Sequence, residues 1–389
     1  MLSADRLRQD SGESRQSDAK AELLRRGEHV MTVCNACRYC EAYCPVFQAM
    51  ENRTAFATGD MLYLANLCHN CGECLYACQY APPHEFGINV PRVMAEIRAS
   101  SYEEYCWPGF MSSAFRRNGV AASLLLAVAS MLFLWPFVQS WAITGDFYGV
   151  IPHDAMVGVF GLVGLFVVVA LAIGVKRAWR SYIAPTYIVS AFRRTDGPAK
   201  AGTDGPAKAG RYVRAVQDAL TLRHLHASGA DCTSDIEQRS PWRRWFHHCT
   251  YYGFLLCFAS TSIAAIYHVV FGWRAPYAYS SAPVVLGTLG GVGLMAGPLG
   301  LLALRHRRDP QMTDPAQRGL DESFIVMLCM TSVTGLLLLG LRERPAMPAL
   351  LIVHLGFVLG LFLTLPYGKF VHGLYRMAAL LRFSAEAHR

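Results

Sequence analysis

Six long apolar stretches, separated by polar segments, dominate the pattern of this chain. Each has 18 or more residues and is rich in Leu, Val, Ala, Gly and Phe. At about 1.5 Å of rise per helical residue, each is long enough to cross a hydrocarbon core of roughly 30 Å. Buried helices of a large soluble protein are the alternative, which six such stretches in one chain disfavour. The predicted transmembrane helices cover residues 120–144, 155–175, 250–271, 284–304, 324–341 and 348–365.

The basic residues of the polar segments indicate the topology. Of the 36 Lys and Arg residues, 33 fall on one side of the predicted membrane, and the other side holds only Arg274, Arg342 and Arg344. Because basic loops remain in the cytoplasm, both termini and the region before the first span are predicted to be cytoplasmic, in an inner (cytoplasmic) membrane. The net charge of +8 follows from this topology and does not indicate nucleic acid.

The rest of the pattern predicts an all-α fold. Few residues before the first span alternate as strands do, and residues 58–67 begin with cap-like residues and continue as a helix. We therefore predict an N-terminal α-helical ferredoxin domain joined to a six-helix transmembrane bundle. A tandem octapeptide, TDGPAKAG, fills residues 195–210 and is predicted to be a flexible insertion. The predicted segments are a disordered or loosely helical lead-in (1–28), the ferredoxin-type domain (29–105), helices 1 and 2 (118–176), a cytoplasmic loop (177–242), helices 3 to 6 (243–375) and a cytoplasmic tail (376–389).

Eight cysteines before the first span form two runs of identical spacing, C-x2-C-x2-C-x3-C. This is the ligand pattern of [4Fe–4S] clusters, because two-residue gaps let consecutive soft thiolates surround one cubane. Structural zinc is disfavoured, since its motifs separate two CxxC pairs by a longer loop. Disulfides are disfavoured because there is no secretory signal and no long loop to close. The predicted ligands of two clusters are Cys34, Cys37, Cys40, Cys44, Cys68, Cys71, Cys74 and Cys78.

The two runs differ in the residue that follows them. Pro45 follows the first run, whereas Gln79 follows the second, so the turn after the second run is expected to differ. The remaining cysteines lack cluster spacing and are predicted to be packing residues. They are Cys106, Cys232, Cys249, Cys257 and Cys329.

Histidines of the third and sixth spans are the next candidates, because such a side chain in hydrocarbon is costly and usually functional. Two spans lie between these helices, so they run antiparallel and bring histidines together at two depths. This is the arrangement that two bis-histidine b-type haems require. Two haems, one haem, or hydrogen-bonded histidines without haem all remain open. The candidate axial ligands are His247 or His248 with His372 at the inner level and His268 with His354 at the outer level.

The angular positions of the histidines around their helices distinguish His247 from His248 only in part. His354 and His372 are 18 residues apart, which is five turns at about 3.6 residues per turn, so their rings are expected to face the same way. His247 lies roughly 60° and His248 roughly 160° from the direction of His268. A straight helix therefore favours His247, and a bend would reverse the choice.

Two further features of the spans have less specific explanations. His153 and His306 lie at span ends without a partner at matching depth, and are expected to be interfacial. The glycines of residues 287–293 are expected to permit the close approach of a porphyrin or of a neighbouring helix.

Two resemblances add to these expectations. Residues 354–372 resemble the last haem-binding helix of nitrate reductase gamma-type cytochrome b subunits. About residues 28–385 resemble the tricarballylate (citrate) utilisation protein B family. The motifs that carry this second resemblance are the double cysteine run, RRWFHH at 243–248, YYGFLLCF at 251–258, GTLGG at 287–291 and LPYGKFVHG at 365–373.

The family resemblance implies that the protein reoxidises the reduced FAD of a soluble dehydrogenase, which converts tricarballylate to cis-aconitate. Electrons would then pass through the clusters and haem to the membrane quinone pool. The chain itself shows no GxGxxG after a strand, no P-loop and no nucleophile elbow, so the flavin is expected on a separate protein. Asp321, Tyr367 and Lys369 are candidates for protonation or quinone contact.

Two roles remain open at this point. The chain is an electron-transfer component, and it is undecided whether it is itself a quinone-reducing oxidoreductase. The alternative is an anchor and electron-transfer subunit of a heterodisulfide-reductase-like or nitrate-reductase-like complex.

Overall fold

The computed structural model describes residues 2–139, 147–183, 206–223, 233–235 and 238–386. Before the first span the helices are α1 (Leu2–Cys37), α2 (Pro45–Glu51), α3 (Thr58–Leu67), α4 (Glu73–Tyr76) and α5 (Val90–Tyr105). Then follow α6 (Phe110–Leu134), α7 (Phe147–Val150), α8 (His153–Tyr182), α9 (Pro206–Leu220), α10 (Trp242–Phe271), α11 (Ala282–His306), α12 (Arg318–Gly340), α13 (Met347–Thr364) and α14 (Val371–Glu386). The described strands, β1 (Thr233–Asp235) and β2 (Gln238–Arg239), form one short antiparallel pair.

The prediction of an all-helical fold with six membrane spans is confirmed. The described helices long and apolar enough to cross a membrane are Phe110–Phe137, His153–Tyr182, Trp242–Phe271, Ala282–His306, Pro315–Gly340 and Met347–Thr364. Many of their apolar side chains point outward, with Leu125, Leu162 and Val269 exposed by 69%, 72% and 73%. An apolar belt of this kind is stable only against lipid, so the chain is a multi-pass membrane protein.

The N-terminal lead-in and the central loop both contain helix. Helix α1 runs through the predicted lead-in, and α9 begins inside the second octapeptide, at Pro206. The rest of the tandem repeat, Cys232 and residues 140–144 of the first predicted span lie outside the described residues.

The sixth span has the predicted length, but its helix does not continue to His372 as the argument from helical phase assumed. Helix α13 ends at Thr364, and α14 begins at Val371. Pro366, which has no backbone N–H to donate, lies in the connection. His354 and His372 therefore belong to separate helices, and the argument from a common helical phase does not apply.

The predicted cytoplasmic tail is also a structured element. Residues 376–386 continue α14, which buries Tyr375, Ala379 and Leu380 in one core with α3 and α5. The α14 sequence is amphipathic, so burial of its apolar face on the cluster domain favours a packed helix over a free tail.

Small residues bring α10 and α11 into backbone contact. A Cβ atom on Gly290 would lie 2.8 Å from the Cys257 nitrogen, and one on Gly253 would lie 2.9 Å from the Leu294 nitrogen. The glycines of residues 287–293 thus serve chiefly helix–helix packing, as small residues commonly do in membranes. This contact fixes which face α10 turns toward the rest of the bundle.

A buried ion network, here called the C-terminal clamp, joins the end of α14 to the cluster domain. The Arg53 guanidinium donates to Asp60 Oδ1 and to Glu386 Oε1, each at 2.7 Å, and Arg382 Nε lies 2.7 Å from the same Glu386 oxygen. Both guanidinium groups lie over the Tyr63 ring. Arg53 and Asp60 are 1% and 0% exposed, so each charge depends on its partners to offset the cost of desolvation.

Replacing Arg53 by Ala leaves the buried carboxylates of Asp60 and Glu386 with Arg382 as their remaining guanidinium partner in the clamp. We expect the free energy of unfolding to fall by about 3–5 kcal/mol, measured by urea unfolding in detergent. Arg92→Ala is the control, because Arg92 is 48% exposed on the side chain in its pair with Glu96, and such pairs contribute less than about 1 kcal/mol. Equal losses in the two variants would contradict the role of the clamp.

Candidate metal centres

The first candidate centre combines three cysteines of the first run with the last cysteine of the second. Cys34, Cys37, Cys40 and Cys78 line one cavity of about 230 Å³. Cys34 and Cys37 occupy the last turn of α1, and Arg38 then adopts a left-handed conformation, φ 54°, that turns the chain toward Cys40. We call this set of four thiols site 1.

The second candidate centre has the complementary composition. Cys44, the last cysteine of the first run, lies beside Cys68 and Cys71; burial, and then these two thiols, raise its pKa well above the usual range. Burial, and then the thiols of Cys71, Cys44 and Cys68, likewise raise the pKa of Cys74 well above the usual range. We call Cys44, Cys68, Cys71 and Cys74 site 2. The fourth cysteine of each run thus joins the other run's centre, as in two-cluster ferredoxins.

The chemistry of the thiols fits cubane clusters better than single ions. Burial first, and neighbouring thiols next, raise the pKa of both Cys34 and Cys40 to about 12, so a bound cation is needed to hold them as thiolates at neutral pH. Within the described part of the chain, no three His, Cys, Asp or Glu side chains converge on a point where one ion would bind. A cubane requires wider spacing, because each thiolate bonds a different iron atom.

Four arginines surround the loop that begins at Cys68. The Cys68 carbonyl accepts hydrogen bonds from Arg98 at 2.5 Å and from Arg376 at 2.8 Å. Arg243 donates to the carbonyls of His69 and Asn70, at 3.1 and 2.7 Å, and Arg308 donates to that of Asn70 at 2.5 Å. We call Arg98, Arg243, Arg308 and Arg376 the arginine collar. Its members come from α5, α10, the loop after α11, and α14.

The collar concentrates positive charge. Burial, followed by the charge of Arg98, lowers the pKa of Arg376 to about 10. Arg376 therefore remains a cation at neutral pH, although its neighbours disfavour that charge. No pattern in the sequence indicates this group: Arg243 belongs to a resemblance motif without a role, and the other three are scattered singly along the chain.

Behind the collar lies a cavity of about 250 Å³ that contains two of the predicted histidines. His247 and His372 line it together with the collar, with Asp321 and Lys369, and with an apolar wall. The wall is formed by Pro298, Leu301, Leu304, Phe324, Ile325 and Leu328. Cationic groups on one side and apolar groups on the other suit an amphiphilic anion.

The His247 and His372 rings have the spacing of two ligands on one metal. Their centroids lie 6.0 Å apart at an interplanar angle of 68°. Two imidazoles on opposite faces of one iron, each bonded at about 2 Å, would have centroids roughly 6 Å apart. Nδ1 of His372 donates to the Lys369 carbonyl at 2.5 Å, which leaves its Nε2 available as a ligand. Nδ1 of His247 is buried without a hydrogen-bond partner.

The other predicted histidines lie elsewhere. His248 stacks on Tyr252, with ring centroids 5.5 Å apart. The two histidines of the expected outer pair have other neighbours: His268 lies against His153, at 3.9 Å between centroids, and Nδ1 of His354 is 3.1 Å from the Thr334 hydroxyl. The expectation that His153 has no partner at its depth is therefore wrong. The beginning of α8 packs against the end of α10, a contact that neither sequence segment reveals alone.

The three candidates for protonation or quinone contact lie in two different places. Lys369 Nζ lies 2.8 Å from Asp321 Oδ1, and Arg305 lies 2.7 Å from Oδ2 of the same carboxylate, at the wall of the histidine cavity. Burial lowers the pKa of Lys369, and the Asp321 charge opposes that effect. Tyr367 instead stacks on Phe115 and donates to the Trp107 carbonyl.

Two sets of four thiols in a helical domain, joined to six apolar spans, define a membrane-bound iron–sulfur electron-transfer protein. The model of the citrate utilization protein B family matches residues 115–389, and that of its Fer4-like domain matches residues 27–104. Citrate utilization protein B of Escherichia coli is 45% identical over 369 residues, which cover 93% of this chain and 92% of the relative. The chain belongs to the citrate utilization protein B family, as the resemblance in the sequence indicated. No solved structure matches it.

Because the fourth cysteine of each run belongs to the other run's site, Cys44 and Cys78 are predicted to support different clusters from those of their own runs. Cys78→Ser should disrupt the cluster of site 1, although Cys78 belongs to the second run, and Cys44→Ser should disrupt that of site 2. Electron paramagnetic resonance and iron content of the purified protein measure each loss. Cys106→Ser, a buried cysteine outside both sites, is the control. Loss of the other cluster in each variant would show that each run binds its own cluster.

Proposed function

We propose that this protein oxidises the reduced FAD of a soluble partner dehydrogenase and delivers the electrons to membrane quinone. The route would use two [4Fe–4S] clusters, at sites 1 and 2, and b-type haem. The observation that carries the proposal is the arginine collar, which connects the Cys68 loop of site 2 to the cavity of His247 and His372. The family resemblance suggests tricarballylate as the substrate of the partner.

Site 1 is the better candidate for receiving electrons. Cys34, Cys37, Cys40 and Cys78 are all partly exposed, whereas site 2 combines the buried Cys68 with the partly exposed Cys44, Cys71 and Cys74. Tyr39, at the rim of site 1, is 66% exposed. A docked flavoprotein would therefore approach site 1 more closely than site 2.

The geometry favours haem at the inner level. His247 and His372 would hold its iron, and the guanidinium groups of the collar would pair with its carboxylates. When bound, haem supplies a one-electron carrier between the clusters and the acceptor. The second haem that the sequence allowed has no comparable support, because His268 and His354 have other neighbours.

Quinone contact is best placed at Lys369 and Asp321. The lysine ammonium is held between the carboxylate and the Gln317 side chain, with Nζ at 2.8 and 3.2 Å from their oxygens. Lys369 could therefore hold a proton beside a quinone oxygen, next to His372. The distribution of basic residues supports an inner (cytoplasmic) membrane with both termini and the cluster domain in the cytoplasm.

His247→Ala should abolish the b-type absorption of the reduced protein, and His248→Ala should leave it nearly unchanged. The physical reason is that only His247 lies opposite His372 in the cavity. Redox-titrated optical spectra with haem quantified make the measurement. A wild-type protein without a b-type spectrum would remove haem from the proposal, and loss only in His248→Ala would reverse the assignment.

Mixing the purified protein with a reduced tricarballylate dehydrogenase should oxidise the flavin in the presence of a quinone analogue. Cys78→Ser should abolish this flavin oxidation, because it removes a ligand of site 1. Stopped-flow absorbance of the flavin measures the rate, and Cys106→Ser is again the control. If the protein exchanges electrons with a molybdenum or disulfide-reductase subunit and does not oxidise the flavin, the anchor-subunit alternative would be favoured.

A further inference from the structure

We propose that the arginine collar gives the cluster of site 2 a more positive reduction potential than that of site 1, and so directs electrons from site 1 toward the membrane. The proposal rests on the proposed function only in requiring that both sites hold [4Fe–4S] clusters. It assigns a potential-setting role to Arg98 and Arg376 in particular. In the step concerned, one electron leaves site 1 and arrives at site 2, with no bond formed or broken.

The first argument is the unusual convergence of charge on one cluster-binding loop. Three consecutive carbonyls, of Cys68, His69 and Asn70, accept hydrogen bonds from four guanidinium groups. Arg98 and Arg376 share the carbonyl of a ligand residue itself. In the described part of the chain, these two arginines donate to backbone carbonyls and form no ion pair with a carboxylate.

The second argument is the electrostatics of cluster reduction. A cubane with four thiolates is anionic and becomes more negative when it accepts an electron. Nearby cations therefore stabilise the reduced form, and net charge and hydrogen bonds are known determinants of cluster potential. Arg98 is only 5% exposed, so its charge acts through a medium of low dielectric constant. The Asn70 N–H, 3.4 Å from the Cys68 sulfur, has the same effect.

The third argument is that the charges near site 1 have the opposite balance. Glu73, which directly precedes Cys74 of site 2 in the chain, is 7% exposed, and its charge also acts on Cys40 of site 1. Arg38 lies nearby in sequence, but it is exposed to solvent and interacts with Glu51, which in turn faces Glu41. A buried carboxylate disfavours reduction of site 1, while the screened Arg38 offsets this effect only weakly.

The collar also places this charge on the membrane side of site 2. Arg376 follows His372 by one turn of α14, and both line the same cavity. An electron attracted to site 2 is thereby brought beside the candidate haem ligands. The same four side chains would thus direct the electron to site 2 and bring it there beside the histidine cavity.

The test is a redox titration of the purified, full-length protein, followed by electron paramagnetic resonance. Arg98→Gln and Arg376→Gln should each shift the potential of site 2 to more negative values, and the double variant should shift it further. Site 1 should keep its potential. The Cys78→Ser and Cys44→Ser variants identify which signal belongs to which site. Arg376→Lys, which keeps the charge, should restore most of the potential.

Arg92→Gln is the matched control, because Arg92 lies on α5 like Arg98 but is exposed and paired with Glu96. It should leave both potentials unchanged. If Arg376→Gln loses iron, Arg98→Gln and Arg308→Gln supply the same measurement. Two clusters present with an unchanged site 2 potential in the Gln variants would overturn this proposal and leave the electron relay standing. Absence of cluster signals from the wild-type protein would instead overturn the proposed function.

Discussion

The docking of α14 against the cluster domain is the constraint on which the arrangement of the centres depends. Its far end is held by the C-terminal clamp, where Arg53 and Arg382 bracket Glu386 and Asp60. Its near end carries His372 and Arg376, and Arg376 binds the carbonyl of Cys68. Charges this deeply buried are stable only in one geometry. The clamp therefore fixes how far the cysteine loops lie from the histidine cavity.

A second constraint comes from the membrane. In hydrocarbon the backbone must satisfy its own hydrogen bonds, so the spans are helices, and their association depends on close packing of small residues. The contact between α10 and α11 through Gly253 and Gly290 orients α10. With that orientation His247 faces His372 while His248 stacks on Tyr252. The packing of α10 against α11 thus selects His247 over His248 as the candidate ligand.

The proposed relay separates the groups that would bind metal from the charges around them. Cysteines and histidines would supply the donor atoms, and the charges come from other elements, among them Glu73, whose charge acts on Cys40, and the collar beside site 2. Because the collar touches both the Cys68 loop and the histidine cavity, cluster domain and membrane domain share one electrostatic environment. Membership of the citrate utilization protein B family accounts for the cluster domain and the membrane domain. The collar suggests how these two domains are coupled in electron transfer.

The sequence by itself determined the features that depend on local pattern. Length and hydropathy are properties of single segments, so the six spans were predictable, and cysteine spacing within runs of eleven residues indicated the clusters. The tertiary structure decided contacts between distant segments that the sequence left open or did not indicate: Cys78 with the first run, His247 and not His248 opposite His372, His153 against His268, and four arginines around Cys68. Pro366 broke the single helix assumed from His354 to His372. Such contacts depend on how helices pack, and no periodicity within one segment records that packing.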